Sequence, residues 1–307
     1  MITVLCMNPS IDQQVTVEEL RVGKTNRIEV GLADAGGKGL NCALSLKDLK
    51  AEARLFLALP RDDRGIVLNC LRQEGLEAEV FSCPGKVRVN VKVLSRRTGD
   101  VTELNEPGPA LPEEVLSQIK TALIDAASRG DALLLTGSLP PGVPVGFYAD
   151  IVRVARAYHC PCAVDADDDV LKAAVEEGPF LIKPNREELE RLIGESARSM
   201  QALGMIARWL CDKKGIRYCC VSLGSEGAIL ANKDRAIHCS AAPIQIRRQH
   251  AGGDAMLSAL TLQLTQGSSL ADALKTACAL AGCTLEMDRS QEEFRRVYNA
   301  LTVSTIS

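Results

Sequence analysis

Aromatic residues are scarce, 3% of 307, with a single Trp. Bare bases stack on aromatic side chains, and phosphate backbones need a cationic surface. With 36 Lys and Arg against 39 Asp and Glu and a net charge of −3, the chain offers neither, so no nucleic-acid partner is expected. Histidine is nearly absent. His159, His238 and His250 are scattered without ligand spacing, and twelve cysteines contain no CxxC pair, so a zinc site of ordinary pattern is excluded. No apolar run is long enough to span a bilayer, which leaves no membrane partner. The opening Met1-Ile2-Thr3-Val4-Leu5-Cys6-Met7 lacks a basic leader and meets Asn8-Pro9 early, so no export signal is read there. The cysteines, many of them inside runs such as Cys219-Cys220-Val221, then read as reduced buried hydrophobes in a cytoplasmic protein.

What the chain does have is alternation. Residues 2–7 form a short apolar strand. Helical patterns at 40–49, 66–74, 113–128, 147–158, 170–176, 187–192 and 200–213 interleave with strand-like runs at 54–59, 132–135, 162–164, 180–182 and 218–223. The region from Asp254 to about Cys283 reads as helical, with a break at Gly267-Ser268-Ser269. Strand–helix alternation with short loops predicts an α/β fold: three α/β/α layers around a central, mostly parallel sheet. Two early β-pieces break this pattern. One is hairpin-like over 13–30 around Gly23-Lys24. In the other, Val87, Val89, Val91 and Val93 alternate with Arg88, Asn90, Lys92 and Leu94 before Thr98-Gly99-Asp100 turns the chain back. These are expected to pair into a small β lid, inserted at about 12–32 and 86–104 of a single domain over 1–307, with Lys24, Arg27, Arg88 and Asn90 facing a ligand.

One stretch carries the chemistry. Ala251-Gly252-Gly253-Asp254 opens the run Ala255-Met256-Leu257-Ser258-Ala259-Leu260. Adjacent glycines let backbone approach a ligand closely. A helix N-terminus collects unpaired N–H groups and the positive end of the dipole. Asp254 on that first turn could take a proton from a hydroxyl held beside the anion, an outline of phosphoryl transfer. Ligands of open parallel sheets bind beyond the carboxyl ends of strands. Asp12, Ser138, Asp165, Lys183, Asn185, Ser222 and Gly224 all follow or end such strands. Cationic Lys38 and Lys183, carboxylates Asp12, Glu188 and Asp254, and exposed glycines suit a phosphorylated ligand with a divalent metal.

Several motifs together carry a resemblance over nearly the whole chain: Asn8-Pro9-Ser10-Ile11-Asp12, Asp34-Ala35-Gly36-Gly37-Lys38-Gly39-Leu40-Asn41, Asn105-Glu106-Pro107-Gly108, Thr136-Gly137-Ser138-Leu139-Pro140-Pro141-Gly142, Lys183-Pro184-Asn185-Arg186-Glu187-Glu188 and Val221-Ser222-Leu223-Gly224-Ser225-Glu226-Gly227. The sequence resembles the ribokinase-like (phosphofructokinase-B) sugar kinases, in their 1-phosphofructokinase/tagatose-6-phosphate kinase branch. The resemblance implies Asp254 as general base and the amides of Ala251, Gly252 and Gly253 as the anion hole. It implies Asp12, Gly37, Lys38, Asn41, Arg88 and Ser138 as sugar-phosphate contacts, with Lys24 or Arg27 on the substrate's own phosphate; Asn90 joins the substrate-binding set through its place on the ligand-facing side of the lid. Lys183, Ser222, Gly224 and Gly227 resemble nucleotide contacts. Asn185 and Glu188 resemble the Asn-x-x-Glu element that organises Mg²⁺ through water; residues three apart share a helix face, so both could point at one hydrated metal.

The expected reaction is ATP- and Mg²⁺-dependent phosphorylation of a ketohexose phosphate, fructose 1-phosphate before tagatose 6-phosphate. The alternative is a sugar-phosphate or nucleotide-binding protein with weakened catalysis. A homodimer through an apolar lid face is left open. Three departures from the family bear on activity. Ala251 stands where the family has glycine, and a positive φ there would strain it. Arg247-Arg248-Gln249-His250 replaces a mostly apolar stretch, and Ala166-Asp167-Asp168-Asp169 is unusually acidic.

Overall fold

The computed structural model describes residues 1–197, 199–241, 244–247 and 251–306. The elements run β1 (Ile2–Cys6), β2 (Ser10–Val17), β3 (Glu29–Gly36), α1 (Lys38–Asp48), β4 (Ala53–Asp62), α2 (Gly65–Glu74), β5 (Ala78–Lys86), β6 (Arg88–Ser95), β7 (Val101–Asn105) and α3 (Glu113–Ser128). The second half holds β8 (Ala132–Thr136), α4 (Phe147–Ala157), β9 (Cys162–Asp165), α5 (Asp168–Glu176), β10 (Leu181–Ile182), α6 (Arg186–Ile193), α7 (Met200–Lys214) and β11 (Tyr218–Ser222). After it come β12 (Ala228–Ala231), β13 (Ala236–Cys239), α8 (Gly252–Thr265), α9 (Leu270–Glu286), α10 (Gln291–Ala300) and β14 (Val303–Ile306).

Ten strands form one sheet in the order β14-β13-β12-β11-β10-β9-β8-β1-β4-β5. From β11 to β5 every pair is parallel; β12, β13 and β14 add an antiparallel edge. The central strands are apolar without alternation because both of their faces are covered. In β1 and β8, Leu5, Leu133 and Leu135 pack into the core on one face, with α3, α4 and α7, while Val4, Cys6 and Leu134 pack on the other, with α1, α8 and α9. Truncating one of these, such as Leu134→Ala, costs about 2–5 kcal/mol through lost burial and the cavity left behind. The twelve cysteines are all free and, apart from half-buried Cys70, buried, as expected of small core hydrophobes. No helix among the described residues is long and apolar enough to cross a membrane.

The two early β-pieces do pair. β2 and β6 lie side by side in parallel from Ser10↔Arg88 to Val17↔Ser95, flanked by antiparallel β3 and β7. This four-stranded sheet has its own small cluster of Val15, Val17 and Val93. Its β6 carries Arg88, Asn90 and Lys92 on one face by strict period two, and all three open on the cavity described next.

Candidate active site

β1, β8 and β9 end in step, with Cys6, Thr136 and Asp165 as register neighbours across three strands, and Lys183 directly follows β10. Chain order reverses between β8 and β1, the kind of place where open sheets leave a crevice beyond their carboxyl ends. A cavity of about 920 Å³ sits there, between this edge, the start of α8 and the small sheet.

Asp254 is on the first turn of α8, buried at 6% exposure. Helices α1 and α8 pack together, which lets Asn41 Nδ2 donate to Asp254 Oδ2 at 2.8 Å. Ser258 Oγ donates to both Asp254 O (2.8 Å) and Cys42 O (3.2 Å), fixing the two helices in register. Burial pushes the Asp254 carboxyl up to about 6, and the Asp165 charge adds to the rise; Asn41, Lys38 and Lys183 oppose it. The first amides of a helix have no intrahelical acceptor. At the start of α8 they come with a cation: a Cβ added to Gly253 would lie 3.3 Å from Lys183 Nζ. A side chain here would crowd that ammonium, so glycine lets the lysine lie against the start of the helix.

Asp165 ties the cations together. Its carboxylate is 3.6 Å from Lys183 Nζ and 3.8 Å from Lys38 Nζ. Burial pulls the Lys183 ammonium down, but Asp165, together with Cys220 and Asp254, leaves the group above the ordinary lysine value. Asp165 likewise raises Lys38, helped by Asp167 at 3.5 Å. The acidic run after β9 is thereby engaged: Asp167 holds Lys38, and Asp168, with φ 43, pairs with Arg191 at 2.9 Å.

Near β6, Arg88 donates Nε and Nη2 to Asn8 O (3.2 and 3.1 Å) and Nη1 to Glu106 O (3.1 Å), while Asn8 Nδ2 donates to Ser138 Oγ at 3.2 Å. Asp12 accepts from Ser10 Oγ (2.7 Å), Asn90 Nδ2 (3.1 Å) and Lys92 Nζ (2.7 Å). Burial pushes the Asp12 carboxyl up, but Lys92, with the hydrogen bonds from Ser10 and Asn90, more than offsets this and holds it below its ordinary value.

Asn185 and Glu188 form a capping box at the start of α6. Asn185 Oδ1 accepts from Glu188 N and Glu188 Oε2 accepts from Asn185 N, each at 2.8 Å. The spacing that suggested a shared helix face is therefore a cap: Asn185 precedes the helix, and the two side chains meet each other's backbone. Glu188 still lines the cavity.

Fourteen of the expected site residues border this cavity: Asp12, Gly37, Lys38, Asn41, Arg88, Asn90, Ser138, Lys183, Asn185, Glu188, Ser222, Ala251, Gly253 and Asp254. Gly252 faces the other way, against Leu285. Lys24 and Arg27 are exposed in the β2–β3 loop, away from the cavity wall. Gly224 and Gly227 form the turn after Ser222 rather than the wall. Gly227 has φ 90, and a Cβ there would lie 2.0 Å from Cys239 O, so glycine is required for the turn itself. Asn8, Lys92, Thr136 and Asp167 also line the cavity without having been singled out as site residues. For Lys92 the signal was available, since it shares the polar face of β6 with Arg88 and Asn90.

The pfkB family carbohydrate kinase model matches residues 4–293. The chain belongs to the pfkB carbohydrate kinases. Among its relatives, 1-phosphofructokinase of Xanthomonas campestris is 28% identical over 91% of this chain and 89% of that protein, and 1-phosphofructokinase of Bacillus subtilis is 26% identical over 96% of each. Phosphofructokinase-2 of Escherichia coli, solved with fructose-6-phosphate, superposes with a TM-score of 0.88 at 24% identity over 97% of this chain and 98% of that one, a likeness of fold.

In this pfkB kinase the departure from glycine at position 251 falls on a strained backbone. Ala251 is the N-cap of α8 with φ 70, in the left-handed region. An alanine there adopts a conformation that favours glycine, at a cost of about 1–2 kcal/mol. In the replaced stretch before it, Arg247 N donates to Leu285 O at 2.9 Å; Arg248, Gln249 and His250 lie outside the described residues.

Proposed function

We propose that this carbohydrate kinase moves the γ-phosphoryl group of ATP to a hydroxyl of a ketohexose phosphate, fructose 1-phosphate in the first place. The observation that carries the reading is Asp254: a buried carboxylate, raised to about 6, on the first turn of a helix where Gly253 lies beside Lys183. A base with that pKa is ionised at neutral pH yet basic enough to accept a proton as the hydroxyl attacks. Asn41 orients it through one oxygen, leaving the other for the substrate hydroxyl. The amides after Ala251 and the Lys183 ammonium face charge that grows on the transferring phosphoryl oxygens. The relatives named 1-phosphofructokinase support the choice of acceptor. So does Arg88, which lines the cavity and donates only to the backbone carbonyls of Asn8 and Glu106, so that a phosphate would be its first anionic partner.

Mg²⁺ fits the site in a sparing way. No group of three or more His, Cys, Asp or Glu side chains able to hold a metal alone occurs among the described residues. This ion keeps several waters and takes its remaining ligands from nucleotide phosphates and one or two carboxylates. Glu188 would hold it, with Asn185 through water; when bound it would neutralise charge on the nucleotide phosphates. Ser222, with the Gly224–Gly227 turn behind it, would contact the nucleotide.

The test is ADP release by the purified protein across fructose 1-phosphate, tagatose 6-phosphate, fructose 6-phosphate and free fructose, with and without Mg²⁺. Turnover highest with fructose 1-phosphate and dependent on Mg²⁺ is expected. Binding of ATP and sugar phosphate by calorimetry with no ADP formed would instead leave a binding protein.

A further inference from the structure

The cationic residue that no motif accounts for is Lys92. It lies on β6 at 9% exposure, with Nζ 2.7 Å from Asp12 Oδ2. An ammonium has three N–H donors, and Asp12 is its one hydrogen-bond acceptor among the described residues. Beside it, Asn90 is also 9% exposed; its Nδ2 donates to Asp12 Oδ1, while its Oδ1 is buried with no hydrogen-bond partner. Both side chains line the cavity. A buried donor and a buried acceptor left open next to each other are costly unless a ligand closes them.

The chemistry of that ligand is restricted. A phosphate could accept from Lys92 but has no proton for Asn90 Oδ1 at neutral pH, and the Asp12 carboxylate would repel it. A hydroxyl does both: its oxygen accepts from Lys92 and its proton goes to Asn90 Oδ1 or to the remaining lone pairs of Asp12. We infer that Lys92 is a specificity-determining residue that, with Asn90 and Asp12, reads a ring hydroxyl of the sugar. The substrate's phosphate is thereby assigned to other cations of the wall. This deepens the sugar-phosphate kinase reading and rests on it. A site built to hydrogen-bond a hydroxyl rejects the analogue that lacks it far more strongly than an apolar pocket does.

The experiment compares wild type and Lys92→Met on fructose 1-phosphate and its 3-deoxy and 4-deoxy analogues. Wild type is expected to discriminate against one analogue by 100-fold or more in kcat/KM. In K92M the KM for fructose 1-phosphate should rise at least tenfold with kcat within threefold and the KM for ATP unchanged, and discrimination against that analogue should fall below tenfold. A K92M enzyme with unchanged KM, or with discrimination intact, overturns the inference. Because removing Lys92 leaves Asp12 with less compensation, the double variant Asp12→Asn/Lys92→Met is measured beside it. Recovery of wild-type KM by that neutral pair would show a structural role and also overturn the inference. If wild type binds fructose 1-phosphate without turning it over, the phosphotransfer reading fails alone, and calorimetry decides for Lys92: weaker binding in K92M supports it, equal binding overturns it. Failure of wild type to bind any of these sugars overturns both.

Discussion

Asn41 and Asp254, 213 residues apart in sequence, meet through a 2.8 Å hydrogen bond from Nδ2 to Oδ2. One residue stands on the first turn of α1, after the Gly36-Gly37 bend, and the other on the first turn of α8. Two helix starts thus converge on one carboxylate. The α1–α8 packing is core architecture, yet its ends set the orientation of the proposed base. Fold and chemistry share the contact.

If Asp254 is the base, Asp254→Asn should lower kcat by at least 10³-fold while the KM values for both substrates move little, because the neutral amide keeps the shape and loses the proton acceptor. The wild-type kcat should fall on the acid side with an apparent pKa near 6, as protonation removes the base. Asn41 is among the groups that hold this value down, so Asn41→Leu should move the acid limb to higher pH. A pH–rate profile of the three proteins checks this; an acid limb that stays in place in N41L speaks against Asp254 as its source.

The same shift has a consequence for stability. In the fold the Asp254 pKa lies at about 6, above the ordinary 3.8, so the folded state favours the protonated acid more than the unfolded state does. Ionisation therefore opposes folding at neutral pH, by on the order of 3 kcal/mol. That penalty shrinks as pH falls from 6 toward 4. D254N, which cannot ionise, should melt at a higher temperature than wild type at pH 7.5, with the difference closing by pH 4. Thermal melts across that range measure it.

The α/β alternation, the strands of the small sheet and most of the cavity wall were legible because their signals are local: period two in 87–94, glycine-rich helix starts, polar residues at strand ends. What escaped has physical causes. β5 contains Pro84-Gly85, which normally argues against a strand; it is tolerated because β5 is the outermost strand of its sheet. β12 is four buried residues, Ala228–Ala231, too short and too uniformly apolar for a period to show. Lys24 and Arg27 were expected to face the ligand because they flank a lid turn, yet the reach of a hairpin tip depends on how two sheets are set against each other, which no local pattern encodes. Asn185 and Glu188 carry a spacing that suits either a cap or a proposed metal site, and only the folded structure reveals the cap.

The observed cap and the proposed metal role can be separated by experiment. Glu188→Gln keeps an acceptor for the Asn185 amide, so the capping box should survive and the melting temperature should stay within about 1 °C. It removes the negative charge, so the Mg²⁺ concentration giving half-maximal rate should rise tenfold or more. Glu188→Ala loses both, with about 1 kcal/mol of stability in addition. Parallel melts and Mg²⁺ titrations of the two variants distinguish these outcomes; an E188Q enzyme with wild-type Mg²⁺ dependence would confine Glu188 to the cap.

Ala251 offers the opposite kind of test, in which stability should be gained. Its φ of 70 places a Cβ-bearing residue in the left-handed region at the start of α8. Relief of about 1–2 kcal/mol of strain in Ala251→Gly is partly offset by the larger conformational freedom of glycine in the unfolded chain, about 0.4–1 kcal/mol. The net expectation is a gain of about 0.5–1 kcal/mol in denaturant unfolding. Because the backbone already has the glycine conformation, the amides after residue 251 should not move, and kcat should stay within about twofold of wild type. A large rise in kcat would mean instead that the alanine distorts the anion hole, and that the loop departs from the geometry the proposed chemistry requires.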